Sequence, residues 1–126
     1  MFADRIDRAR TEMESQGVDA LLLSVGADLP YLCGYEAMPT ERLTMLVLPR
    51  EGSARLVIPG LEAPRVTARD EFEIVPWGET QDPLDLVTDL LGGAGCVALG
   101  DTTWSKFLVG LSDRNPALRV RNASDV

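Results

Sequence analysis

Apolar and polar positions alternate along this chain in a way that predicts helices and strands in turn. Over residues 4–16, Ile6, Ala9 and Met13 recur at three- and four-residue spacing, which predicts a helix with one apolar face. Asp4 is placed to cap it, Asp7 adds negative charge to its first turn, and Gly17 fits the left-handed position after its last turn. Residues 18–23 are mostly apolar and read as a short strand buried on both faces. Asp28 is positioned to cap a helical turn running through Pro30 and ended by Gly34. Residues 35–42 are mixed and polar, and Pro39 argues against regular structure there.

Residues 43–48 and 54–58 are two further apolar strands. The cluster at residues 49–53 separates them, so an antiparallel hairpin is expected. A short helix is expected over 62–69 and a half-exposed strand over 72–76. Asp82-Pro83 opens a sharper helix, with aspartate at the cap and proline at the first helical position; Leu84, Val87, Leu90 and Leu91 form its stripe and Gly92-Gly93 stop it. Residues 96–99 form a fifth strand. Thr102 or Thr103 is then expected to cap a helix that turns Trp104, Phe107, Leu108 and Leu111 inward. After the Asn115-Pro116 turn comes a last strand at 117–120, and residues 122–126 are a mostly polar tail with no evident partner. The sum predicts an α/β fold with three layers: a mixed, mostly parallel sheet of about six strands with helices on both faces.

Length and composition narrow the function. A chain of 126 residues closes one core, and 45% apolar with 25% charged residues is ordinary globular usage. The apolar runs fall far short of the roughly 20 residues needed to cross a bilayer, and no basic-then-apolar segment leads the chain, so neither a membrane span nor a signal peptide is predicted and the cytoplasm is the expected compartment. The net charge of −8 opposes general binding to nucleic acid or anionic membranes. Eleven of the twelve basic residues are arginine, Lys106 being the exception, a bias read as compositional. Cys33 and Cys96 are expected to be buried free thiols.

The chain has no histidine, which excludes a Ser-His-Asp triad, a Cys-His dyad and a His-ligated zinc site within it. The glycines at 92, 93 and 95 follow a helix and precede a strand, the reverse of a phosphate loop. Asp82, Asp85 and Asp89 share one side of a helix and Asp70-Glu71-Glu73 form an acidic turn; oxygen-ligated metals use such groups, but solvated surfaces account for them. Trp104 is expected in the core, and Trp77 just past a strand end. The segment that includes Tyr31, Tyr35, Glu36, Glu41 and Arg42 is the candidate contact surface, with Arg42 able to clamp a carboxylate bidentately. No catalytic residue and no metal ligand is assigned to this chain.

Gly17-Val18-Asp19-Ala20, then Tyr31-Leu32-Cys33-Gly34-Tyr35, then the apolar run at 43–48 resemble the amino-terminal domain of the creatinase, prolidase and aminopeptidase P family. In that family an opening helix closes in a "G-x-D-A" turn and a "Y-L-x-G-F/Y" turn precedes an apolar strand; Cys33 stands where the family often has threonine. The resemblance covers essentially the whole chain, with residues 1–121 as the domain and 122–126 as the start of a linker. It implies a two-domain parent hydrolase, an Xaa-Pro dipeptidase or aminopeptidase. Its separate carboxy-terminal domain holds two divalent metal ions (Mn, Co or Zn) and activates water between them. It further implies that this domain packs on its own C-terminal catalytic domain, helps form a homodimer, and sends the segment from Tyr35 to Arg42 toward a peptide substrate at the subunit boundary. Two alternatives stay open: a creatinase-like C–N hydrolase or lyase on the same scaffold, and a free-standing α/β interaction module.

Overall fold

The computed structural model describes residues 2–36 and 42–125. In chain order the elements are α1 (Phe2–Gln16), β1 (Ala20–Leu23), α2 (Asp28–Cys33), β2 (Met45–Pro49), β3 (Ala54–Pro59), a 3-10 turn (Ala63–Arg65), β4 (Phe72–Trp77), α3 (Pro83–Leu91), β5 (Cys96–Leu99), α4 (Ser105–Arg114), β6 (Arg119–Asn122) and a closing 3-10 turn (Ala123–Asp125). The strands form one six-stranded sheet in the order β4-β3-β2-β1-β5-β6. β2 runs antiparallel to both β1 and β3, and the other neighbours pair in parallel. The α/β architecture and the 43–58 hairpin are thus as the sequence predicts.

The sheet is covered on both faces, which is why its central strands are apolar without alternation. Leu21 and Leu23 of β1, Leu46 and Leu48 of β2, and Leu56 and Ile58 of β3 turn to one face, where Ile6 and Met13 of α1 and Leu29 and Leu32 of α2 cover them. Ala20 and Leu22, Met45 and Val47, Val57 and Val97 turn to the other, under Val87 of α3 and Phe107 and Leu111 of α4. A one-residue slip would exchange the two sets.

Both motif glycines have a structural cause. Gly17 adopts φ +70 after α1, and Val18 N–H donates to Met13 O at 2.9 Å, which turns the chain into β1. Gly34 adopts φ +78 and donates to Pro30 O at 2.8 Å. A Cβ there would also lie 3.1 Å from the Phe2 ring and from the Arg69 guanidinium, a close fit, but it is the backbone angle that demands glycine.

Several local details differ from expectation. α1 begins at Phe2, so Asp4 lies inside its first turn and complements the helix dipole instead of capping. α2 begins at Asp28 itself, with Ala27 at the cap and no side-chain cap bond. The helix expected over 62–69 shrinks to one 3-10 turn at Ala63–Arg65, since the backbone at Val66 is already extended. Neither threonine caps α4: the Thr102 hydroxyl donates to Val25 O, tying the β1–α2 loop, and Trp104 occupies the cap position. The tail is not partnerless, because Ala123 is buried in the first core. The Asp82 cap forms as read, accepting from Leu84 N–H at 2.9 Å. Cys33 and Cys96 are buried free thiols; burial pushes the Cys33 thiol up, and it donates to Leu29 O.

The strand order is locked at Asp19, just before β1. Its carboxylate accepts from Gly95 N–H (2.9 Å) and Cys96 N–H (3.1 Å) at the start of β5, and from Arg50 Nη2 (3.1 Å) at the end of β2. Its own amide donates to Cys96 O and its carbonyl accepts from Arg50 N–H. The Gly95 and Cys96 amides, with Arg50 adding, hold this carboxyl below its ordinary value of 3.8. A lowered pKa makes the stabilisation complete above the ordinary carboxylate range and removes it as pH falls through the folded-state value. The side chain is 34% exposed, so Asp19→Ala is expected to cost about 1–2 kcal/mol at neutral pH. Urea unfolding from about pH 7 to about pH 2 should show a shallower acid loss in Asp19→Ala than in the parent chain; equal acid slopes would contradict the assignment.

Candidate functional site

Because β2 alone among the six strands of the described residues is reversed, the other five end on one rim, where ligands of open α/β sheets usually bind. The rim is built from the loops after β1, β3, β4 and β5, together with the chain entering β2 at Arg42. Its backbone is pinned: Ser24 Oγ donates to Thr44 O, Gly100 N–H to Leu22 O, Gly60 N–H to Trp77 O, and the Trp77 indole to Leu43 O at 2.9 Å.

Two hollows open on the α3/α4 side of this rim and share Arg42 and Phe107. One, of about 350 Å³, has Leu43, Trp77, Pro83 and Leu84 as its apolar lining, with Asp82 and Lys106 at its polar edge. The other, of about 290 Å³, lies against Val25, Gly26, Thr102 and Trp104. Arg42 forms a fork with Glu79: Nη1 to Oε1 at 2.7 Å and Nη2 to Oε2 at 3.2 Å, both side chains well exposed. Lys106 lies over the Trp104 and Phe107 rings, at 5.7 and 5.3 Å from their centroids.

The residues singled out in the sequence do not share one surface. Tyr31 is on α2, 48% exposed, with the Arg5 guanidinium 4.2 Å from its ring and Arg5 Nη1 donating to its carbonyl. Tyr35 packs against the α1/α2 core, where burial, and next the Glu62 carboxylate, raise its phenol pKa while Arg65 opposes them. Glu36 is exposed. Arg42 lies on the opposite face, beside the second core. Glu41 lies outside the described residues. Glu79, Trp77, Lys106 and Phe107 were not singled out as site residues from the sequence. Trp104, expected in the core, is 44% exposed. Its cap position puts it outside the helical stripe, so spacing counted along α4 misplaced it.

The acidic side of α3 is engaged: Arg114 donates to Asp85 at 2.7 Å and to Asp82 at 2.5 Å. Among the described residues no three His, Cys, Asp or Glu side chains converge. With no histidine in the sequence, the residues present do not fit a dinuclear metal centre. Among the described residues no helix is long and apolar enough to cross a membrane.

The mixed six-stranded sheet with helices on both faces defines a three-layer α/β class. The family model for the creatinase/prolidase N-terminal domain matches residues 5–124, and the chain belongs to that family. It is 35% identical over 131 residues to the probable dipeptidase PepE of Mycobacterium tuberculosis, a match spanning all of this chain and 35% of that protein. The crystal structure of dipeptidase PepE from Mycobacterium ulcerans superposes with a TM-score of 0.85 at 34% identity, over 98% of this chain and 35% of that one. The creatinase/prolidase N-terminal domain of an X-Pro dipeptidase from Streptococcus pyogenes shares the fold, with a TM-score of 0.82 at 19% identity over 96% and 94% of the two chains. The chain thus spans about a third of the length of its PepE relatives.

The two tryptophans report the rim directly. Iodide is expected to quench Trp104 fluorescence (in Trp77→Phe) more strongly than that of Trp77 (in Trp104→Phe), since Trp77 is packed against the second core and hydrogen-bonded. The reverse order would contradict the placement.

Proposed function

We propose that this chain is the non-catalytic amino-terminal domain of a cytoplasmic Xaa-Pro dipeptidase or aminopeptidase, serving substrate selection and dimer assembly. Its partner is a C-terminal catalytic domain that carries the two divalent metal ions and the water-activating chemistry. The domain adds a rim that leans over that centre, and the peptide binds where subunits meet. Arg42 receives the carboxylate of the peptide there, while the apolar groove beside it takes the neighbouring side chain or ring.

The observation that carries this reading is the pairing of an exposed arginine fork with an apolar hollow on the rim of a creatinase/prolidase-type domain. A planar guanidinium matches a carboxylate bidentately, and a lysine there would not. Family membership and the dipeptidase relatives support the substrate class. The donor set supports placing the metals elsewhere, because the sequence has no histidine and no three His, Cys, Asp or Glu side chains converge among the described residues.

Two assays test it. The 126-residue chain alone is expected to release no proline from Xaa-Pro dipeptides at any Mn²⁺ or Co²⁺ concentration. Joined to a creatinase-type catalytic domain, it is expected to turn over those dipeptides as a dimer. Metal-dependent hydrolysis by the chain alone, or a joined protein that dimerises but turns over no Xaa-Pro dipeptide, would overturn the proposal.

A further inference from the structure

We propose that Glu79 is an internal competitor for the carboxylate that Arg42 receives, so that a ligand enters the rim by exchanging one carboxylate for another. This rests on the reading of Arg42 given above.

The internal pair has the geometry of the complex it would mimic. Both oxygens of Glu79 face both terminal nitrogens of Arg42, the fork arrangement expected of a bound carboxylate. Its placement is built into the fold. Glu79 follows β4 in a tight turn, in which Gly78 N–H donates to Gln81 Oε1 and Gln81 N–H to Gly78 O, immediately before the Asp82 cap of α3. Arg42 precedes Leu43, whose carbonyl accepts from the Trp77 indole. One hydrogen bond therefore ties the two short segments together and holds Glu79 at high effective concentration beside Arg42.

The pair is also easy to open. The Arg42 and Glu79 side chains are 45% and 68% exposed, and exposed pairs favour the closed form by only about one- to fivefold. The hollow next to the pair offers Trp77, Leu84 and Phe107 to a compact apolar group. A ligand with a carboxylate on such a group gains both contacts, while a simple anion gains one and faces the competing glutamate. Removing the competitor raises the apparent affinity by one plus the closed-to-open ratio, about two- to sixfold.

The test uses this chain, with N-acetyl-L-proline as the probe and N-acetyl-L-prolinamide as its carboxylate-free match, at fixed ionic strength. The Arg42 Nε–H and Trp77 indole resonances report binding. Glu79→Gln is expected to bind the acid about two- to sixfold more tightly than the parent, Arg42→Gln not to bind it, and neither to bind the amide. Asp101→Asn, which removes one exposed negative charge next to Thr102, is expected to match the parent. Equal affinity in the parent and Glu79→Gln, with Arg42→Gln silent, overturns the competition and leaves the Arg42 reading standing. An equal gain in Asp101→Asn overturns it in favour of overall charge. Binding that survives Arg42→Gln overturns both readings, as does a probe that binds no variant.

Discussion

The carboxylate of Asp19 is the constraint on which the sheet order depends. β1 sits between a reversed neighbour, β2, and a parallel neighbour, β5, far apart in sequence. Nothing in four consecutive apolar residues selects those neighbours. Asp19 ties those neighbours together, because its two oxygens and its own peptide group reach Gly95, Cys96 and Arg50 at once. Charged acceptors on backbone amides make stronger bonds than neutral ones, and here they define where two different strands begin and end relative to β1. β2 is the reversed strand beside this lock, and the other five carboxyl ends gather on one rim.

That rim is where the fold can serve a partner. Its loops are stitched to strands by Ser24, Trp77 and Gly100, and it keeps Trp104 and Arg42 in the open. A pinned backbone with exposed aromatic and cationic groups is suited to recognition, since little further ordering is needed when a ligand binds. The chain's lack of histidine and of any converging metal-ligand set among the described residues is consistent with a division of labour, in which chemistry resides on another domain.

Much of the architecture was legible because local chemistry and global fold agree. Gly17 and Gly34 stop helices, Asp82-Pro83 starts one, and the glycine-bearing turn at 49–53 forces the hairpin. The misreadings have a common cause: a polar side chain can cap a helix or tie down a remote loop, and sequence does not say which. Thr102 bonds to Val25 O instead of capping α4, and Trp104 takes the cap position it vacates. Tyr35 and Arg42 look contiguous in sequence, yet Tyr35 packs on the first core and Arg42 lies beside the second. Glu79 was invisible for a simpler reason. Its partner is 37 positions away, and an ion pair between two loops leaves no periodic trace.

The most direct measurement of the central claim is substrate discrimination in a polypeptide that joins this domain to a creatinase-type catalytic domain. The ratio of kcat/KM for an Xaa-Pro dipeptide to that for its C-terminal amide should fall about ten- to hundredfold in Arg42→Gln, as expected when a charged hydrogen-bond partner is lost. The change should lie on the dipeptide and leave the amide unaltered. An unchanged ratio would contradict the account, because the rim would then not read the carboxylate that we propose it receives.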